Sequence, residues 1–319
     1  MNAVLCKWLD SWVIRSAAAR MPGPTGCDPQ LAEAEALMKN PGFFAPEVTA
    51  PKLIFTSEER FEFRSEIQTP FEQNNIVYGR LFRGHHSRVS KPTVILLHGW
   101  NDDLNYRFRF PFLARQFNRL GMNCAIIELP YHFQRRPAPP ASVRNFISEN
   151  VLRTVEATQQ ALADIRGLCA WLGEQGCEQV NLWGISLGGW LAGLAICNDE
   201  QFHSAVVVTP VARMDRMIAE TAFVAPIRHA LRGAKMNLSP FNLDNHQPQV
   251  AKENILIVEA TYDRFVPPET VEDLWHAWGE PEIWRRSCGH ITVMVSVGLM
   301  KSTAKWMSSR VLKVPAPAT

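Results

Sequence analysis

Residues Val180–Gly189, reading Val-Asn-Leu-Trp-Gly-Ile-Ser-Leu-Gly-Gly, constrain the fold more than any other stretch. Apolar residues alternate into the segment as in a buried strand, and Trp190 to Cys197 continues as an apolar helix. Between them lies Gly184-x-Ser186-x-Gly188. A serine on a sharp strand-to-helix turn is held in a sparsely populated backbone conformation, and side chains two residues to either side would clash. Gly184 and Gly188 remove those side chains. Such a turn presents a hydroxyl at the edge of a sheet, which is the arrangement of a nucleophile elbow. The motif is short, so its weight depends on whether the chain also supplies a base, an acid and an oxyanion site.

The surrounding pattern is one of alternating strands and helices. Pro92 to Leu97 is a continuous apolar run, expected of a strand buried on both faces, and His98-Gly99-Trp100 follows it. A helix is expected over 104–120, a strand over Asn123 to Glu128, and a long helix over 147–175 with Ile147, Val151, Val155, Leu162 and Ile165 on one stripe. Further buried strands are expected at Ser204 to Thr209, Asn254 to Glu259 and, shorter, Glu282 to Arg286, with helices at Pro268 to Trp278 and Ile291 to Val311. Phe61 to Ile67 and Ile76 to Phe82 alternate as an antiparallel pair. This order implies an α/β architecture, a mainly parallel sheet with helices on both faces. The segment 211–250 carries Met214, Met217, Phe223, Met236 and several prolines without a strand pattern, and reads as an insertion of short helices over the site. The expected organisation is a helical extension over 1–50, a main domain over 51–312 and a disordered tail over 313–319 that contains Pro315-Ala316-Pro317. Asp28 is expected to cap a second helix beginning at Pro29. The proline-rich stretch Gln134 to Pro140 reads as a loop.

Composition narrows the function. A net charge of +2 leaves no nucleic-acid footprint. Seven cysteines lie scattered, several in apolar runs and none in C-x-x-C spacing, so neither a disulfide framework nor a zinc site is implied and a cytoplasmic location fits. No metal and no cofactor is expected. Membrane-spanning helices need about 18 consecutive apolar residues, and no such run exists. Near the start, Trp8, Leu9, Trp12, Val13 and Ile14 are interrupted by Lys7, Asp10 and Arg15. The segment reads as an amphipathic helix that packs on the body of the protein or on a second copy; a membrane-surface helix is the alternative.

A serine hydroxyl needs a base. Among nine histidines, His290 follows Gly289 in a loop after the last strand, and Asp263 lies directly after the strand ending at Glu259. Loops after parallel strands converge on one edge, so Ser186, Asp263 and His290 can meet there. Asp215, in the insertion, is the rival acid. With His98-Gly99-Trp100, Gly184-x-Ser186-x-Gly188, Asp263 in Asp-Arg-Phe-Val-Pro and Gly289-His290 in this order, the chain resembles the α/β-hydrolase superfamily over about residues 60–310. It is also similar to dienelactone-hydrolase and prolyl-oligopeptidase-type catalytic domains. The resemblance implies an eight-stranded sheet with its second strand antiparallel and a helical insertion after the sixth. It further implies Ser186 as nucleophile, His290 as general base and acid, and Asp263 as the residue orienting the imidazole. The oxyanion donors would be the N–H groups of Leu187 and Trp100, while His98 orders its loop. Trp100, Phe133 and Trp190, with the methionines of the insertion, would line an acyl pocket, and Arg107, Arg109, Arg135 and Arg136 would favour an anionic substrate if they reached the mouth. The function expected is hydrolysis of a small-molecule carboxylic ester. A serine peptidase acting on short peptides and a non-catalytic binding protein of the same fold are the alternatives, and the N-terminal helix offers a surface for membrane contact or self-association.

Overall fold

The computed structural model describes residues 2–19, 28–84, 89–138, 146–233 and 236–311, with the side chain of Phe223 left out. The tail over 313–319, Pro139-Pro140, Cys27, His85 and His86 lie outside the described residues. Among the described residues nine strands form one sheet: β1 (Ile54–Phe55), β2 (Arg60–Arg64), β3 (Ile76–Phe82), β4 (Thr93–Leu97), β5 (Asn123–Ile127), β6 (Val180–Ile185), β7 (Phe202–Val208), β8 (Ile255–Ala260) and β9 (Glu282–Arg286). Their spatial order is β1-β2-β3-β5-β4-β6-β7-β8-β9. The first three pair antiparallel, β3 pairs antiparallel with β5, and every later pairing is parallel. The sheet therefore has one strand more than the expected eight. The extra strand, β1, has two residues, too few to show an alternating pattern in the sequence.

Alternation within the central strands sends side chains to two separate cores. Ile95, Leu97, Leu182, Ala205 and Ile257 pack on one face, while Val94, Leu96, Trp183, Val206 and Val258 pack on the other. Because both faces are covered, β4 to β8 are buried along their length except at His203 in β7. The edge strand β9 is partly exposed, and Glu282, Arg285 and Arg286 give it the charge that discourages edge-to-edge pairing.

Ten helices flank the sheet among the described residues: α1 (Ala3–Ala19), α2 (Leu31–Met38), α3 (Phe110–Arg119), α4 (Val151–Glu174), α5 (Leu187–Asn198), α6 (Met214–Glu220), α7 (Ala225–Ala230), α8 (Pro268–Ala277), α9 (His290–Met294) and α10 (Val297–Val311). Apolar all round, α5 is buried from Leu187 to Cys197. Several boundaries differ from expectation for local reasons. Asn150 caps α4 by accepting from Arg153 N–H at 2.9 Å, so that helix starts four residues later than the apolar stripe suggests. The helix expected over 104–120 begins as a π-turn at Asn105–Arg109. The closing helix breaks at Val295-Ser296 into α9 and α10. Asp28 spends its side chain on Gln30 N–H, two residues too early to cap α2, and Gln30 takes the cap position with φ 51°.

One ion pair is fully enclosed. Arg135 Nη1 donates to Asp164 Oδ2 at 2.7 Å and to the Glu128 carbonyl, while Nε and Nη2 donate to the Asn74 carbonyl; Ser65 Oγ donates to the other Asp164 oxygen. This network joins the segment between β2 and β3, the loop after β5 and α4. Arg135 is thus a structural residue, at 0% exposure, and not a substrate contact. Arg135→Met leaves Asp164 buried without its cation and should cost about 3–5 kcal/mol in denaturant unfolding, whereas Arg135→Met with Asp164→Leu recovers most of the loss. Equal stability of the two variants would contradict this.

Candidate active site

The site is built at the carboxyl ends of the parallel strands. Ser186 leaves β6 with φ 56° and ψ −116°, a conformation no other described residue at that turn shares, and its N–H is pinned to the Val208 carbonyl at 2.9 Å. A Cβ on Gly184 would collide with the Gly188 carbonyl, and one on Gly188 with the Leu97 carbonyl. Both glycines are therefore required by close approach of backbone to backbone. Together they let α5 start directly against the end of β4.

Three side chains from three different loops meet there. His290 Nε2 lies 3.0 Å from Ser186 Oγ, and His290 Nδ1 lies 2.6 Å from Asp263 Oδ2. The geometry fits an imidazole that donates from Nδ1 to the carboxylate and accepts the serine hydroxyl proton at Nε2. Asp263 Oδ1 accepts from the N–H groups of Phe265 and Val266 at 2.7 and 2.8 Å, which fixes the carboxylate in a tight turn. The Phe265 ring stacks on the imidazole with centroids 4.7 Å apart. Burial alone would push the His290 pKa down. The adjacent Asp263 charge and hydrogen bond, with Asp10 and Asp102 behind them, outweigh burial and hold it above the ordinary value of 6.5.

His98 has a different environment. Its Nδ1 lies 2.8 Å from the Gly99 carbonyl, and its Nε2 accepts from Leu129 N–H at 3.0 Å. Both ring nitrogens are used by backbone, so the residue ties the loop after β4 to the loop after β5. Burial drives its pKa down to about 4 and keeps the ring neutral. Gly99, next in the chain, lies where a Cβ would be 3.1 Å from Met294 Cε, 3.4 Å from Asp102 Oδ2 and 3.5 Å from Ser186 Cβ. That proximity brings the loop after β4 beside the serine, and Leu187 begins α5, where a first-turn N–H has no partner within its own helix.

An apolar cavity opens beside Ser186. Trp100, Leu187 and Trp190 line it from the core side, and Met214, Met217 and Phe241 from the segment 211–250. Trp190 Nε1 donates to the Phe241 carbonyl at 2.8 Å, which fixes this wall to α5. Phe133 does not line the cavity. It stacks on Tyr106 at 4.2 Å and packs against His98, so its ring supports the loop. Met236 is likewise outside the lining. Asp215 pairs with Arg213 at 2.9 Å and makes no bond to His290. Of the arginines, Arg109 donates to the Val295 carbonyl, Arg107 faces Asp103 and Arg136 faces Asn101; none lines the cavity. No group of side chains suited to a metal ion occurs among the described residues.

Two acidic residues here escape sequence reasoning. Asp102 is buried beside Gly99, held by Asn105 Nδ2 at 2.7 Å. Asp10 reaches the site from α1 and contacts the loops that carry His290 and Asp263. Its position inside an amphipathic helix gives no sequence signal for this.

Comparison with known proteins agrees with the architecture. Residues 66–219 match the family model described as alpha/beta hydrolase domain containing 18. An uncharacterized protein of Mycobacterium tuberculosis (strain H37Rv) is 31% identical over 229 residues, which cover 69% of this chain and 54% of the relative. The chain thus spans about half the length of the curated relatives it matches. Among solved structures, an acetyl xylan esterase from Paenibacillus sp. R4 superposes with a TM-score of 0.57 at 15% identity, covering 93% of this chain and 99% of that one. A serine hydrolase without lid from Xanthomonas campestris gives 0.54 at 13% identity, covering 83% and 100%.

In a titration followed by NMR, the His290 imidazole should take up its proton above the ordinary histidine value and His98 only near pH 4. Asp263→Asn should move His290 downward and leave His98 alone. Titration of His290 below the ordinary value in the wild-type protein would contradict the electrostatic picture.

Proposed function

We propose that this chain, a member of the α/β-hydrolase superfamily by its fold, is a serine hydrolase that cleaves carboxylic esters with an apolar acyl group. The observation that carries the reading is the pair of hydrogen bonds from Ser186 Oγ to His290 Nε2 and from His290 Nδ1 to Asp263 Oδ2, beside an apolar cavity. His290 removes the proton from Ser186 Oγ as the oxygen attacks the acyl carbon. The carbonyl oxygen, now negative, is held by the N–H groups of Leu187 and Trp100; losing one such donor typically costs about 2.7–4 kcal/mol. The imidazolium is stabilised by Asp263 and returns its proton to the departing alcohol. Water then attacks the acyl carbon as it gives a proton to His290, and His290 passes that proton to Ser186 Oγ as the bond to Ser186 breaks and the acid leaves. Six cysteines, free among the described residues, support placing the activity in a reducing compartment such as the cytoplasm.

The cavity supports this substrate class. Its walls are almost wholly apolar, and no described arginine lines it, which favours an acyl chain over an anionic substrate. Each buried methylene contributes about 0.8 kcal/mol, so kcat/KM on p-nitrophenyl esters should rise roughly fourfold per methylene from acetate until the cavity is filled. Ser186→Ala should lower kcat on the order of 10⁴- to 10⁶-fold with fold and stability retained. Turnover of aminoacyl-nitroanilides but not esters would replace the esterase with a peptidase. A wild-type rate in Ser186→Ala would remove the serine mechanism.

A further inference from the structure

The first-turn N–H groups of α9 need acceptors, and Gly289 has no side chain to supply one. Thr292 Oγ1 accepts from Gly289 N–H at 2.8 Å. The next two donors are taken by a residue from the far end of the chain. Asp10 Oδ2 accepts from His290 N–H at 2.8 Å, and Asp10 Oδ1 accepts from Ile291 N–H at 3.1 Å. The same Oδ2 also accepts from Arg264 N–H at 3.1 Å, next to Asp263. One carboxylate therefore bonds both the loop that carries His290 and the loop that carries Asp263. It is completely buried, and a Cβ on Gly289 would come within 2.8 Å of it, so the glycine is what admits it.

Resting on the serine-hydrolase reading, we propose that Asp10 is a positioning residue: from α1 it clamps the Asp263 and His290 loops together and so sets the register of acid, base and Ser186. The N-terminal helix is then a working part of the site. The rest of α1 agrees with this. Cys6, one turn before Asp10, is buried against Thr292, and Lys7 lies over the Tyr262 ring, so the helix contacts both loops on either side of the clamp. Asp10 acts on His290 in two ways. It fixes the backbone, and its charge favours the imidazolium together with Asp263 and Asp102; Cys6, Lys7, Tyr262 and Cys288 are further titratable groups packed there. Three donors converge on two oxygens, and an amide cannot replace them all, because its nitrogen does not accept.

The test compares wild type, Asp10→Asn and Gly289→Ala in p-nitrophenyl ester turnover across the range in which histidine titrates. Small displacements of a catalytic group cost about ten- to a hundredfold, so kcat should fall by that amount in Asp10→Asn while KM stays unchanged. The acid limb of the pH profile should also move to lower pH. His290 must be neutral to act as base, and loss of the Asp10 charge makes it easier to deprotonate. A merely structural role would lower stability and leave the limb in place. Gly289→Ala keeps the carboxylate but crowds it, and should lower kcat even if Asp10→Asn does not fold. A folded Asp10→Asn with wild-type kcat and an unmoved limb overturns the proposal, and so does wild-type kcat in Gly289→Ala. Should the wild-type protein turn over no ester, the hydrolase reading fails by itself. The clamp then remains testable by hydrogen exchange, with faster exchange of Arg264, His290 and Ile291 N–H in Asp10→Asn supporting it and unchanged exchange overturning it.

Discussion

The left-handed backbone at Ser186 is the constraint on which the site depends. A non-glycine residue in such a conformation costs about 1–3 kcal/mol and persists only where its surroundings over-determine it. Here the surroundings are the ends of the parallel strands. Positive φ values recur after four successive strands, at Asn101 after β4, Tyr131 and Phe133 after β5, Ser186 after β6 and Thr209 after β7. Two of these turns are pinned across strands, Ser186 N–H to the Val208 carbonyl and Thr209 N–H to the Val258 carbonyl. The strain is thus concentrated at one edge of a sheet whose central strands are buried on both faces. Extensive apolar packing below that edge stabilises the fold enough to hold it.

Electrostatics at this edge depend on where each carboxylate sits. Asp263 touches the imidazole directly, Asp102 lies beside Gly99 in the loop after β4, and Asp10 lies against the backbone of the histidine loop. All three are buried, so their charges are weakly screened and act on one ring. His98, only a short distance along the same edge, meets backbone groups and stays neutral. The contrast between the two histidines follows from their partners, since both are buried. The outer face of α1 is a separate matter. Val4, Leu5, Trp8 and Trp12 are each more than half exposed, while Cys6 and Asp10 on the inner face are covered.

Much of the fold and the three side chains that meet at the strand edge were legible in the sequence. Continuous apolar runs marked the buried strands, and the glycine pair flanking Ser186 had to mean a close turn. Asp263 and His290 followed from topology, because loops after parallel strands share an edge. What the sequence could not show were partners brought together from a distance. Asp10 looked like a polar interruption in an amphipathic helix, since nothing local reveals three backbone donors from residues 264, 290 and 291. Arg135 looked like part of a basic loop, because an arginine's burial depends on Asp164 in another element. Phe133 looked like pocket lining, yet its left-handed backbone carries the ring onto Tyr106 and His98. Sequence periodicity reports which face of an element is apolar and is silent about which distant polar group will be covered with it.

The central claim is that Ser186 is a nucleophile activated by His290. Labelling with a fluorophosphonate, followed by peptide mass spectrometry, tests it most directly, because the reagent reacts with an activated serine whatever the natural substrate. The account predicts one adduct per chain, located on Ser186, formed by the wild-type protein and lost in His290→Ala. No adduct on the folded wild-type protein, or an adduct on another serine that survives His290→Ala, would contradict it.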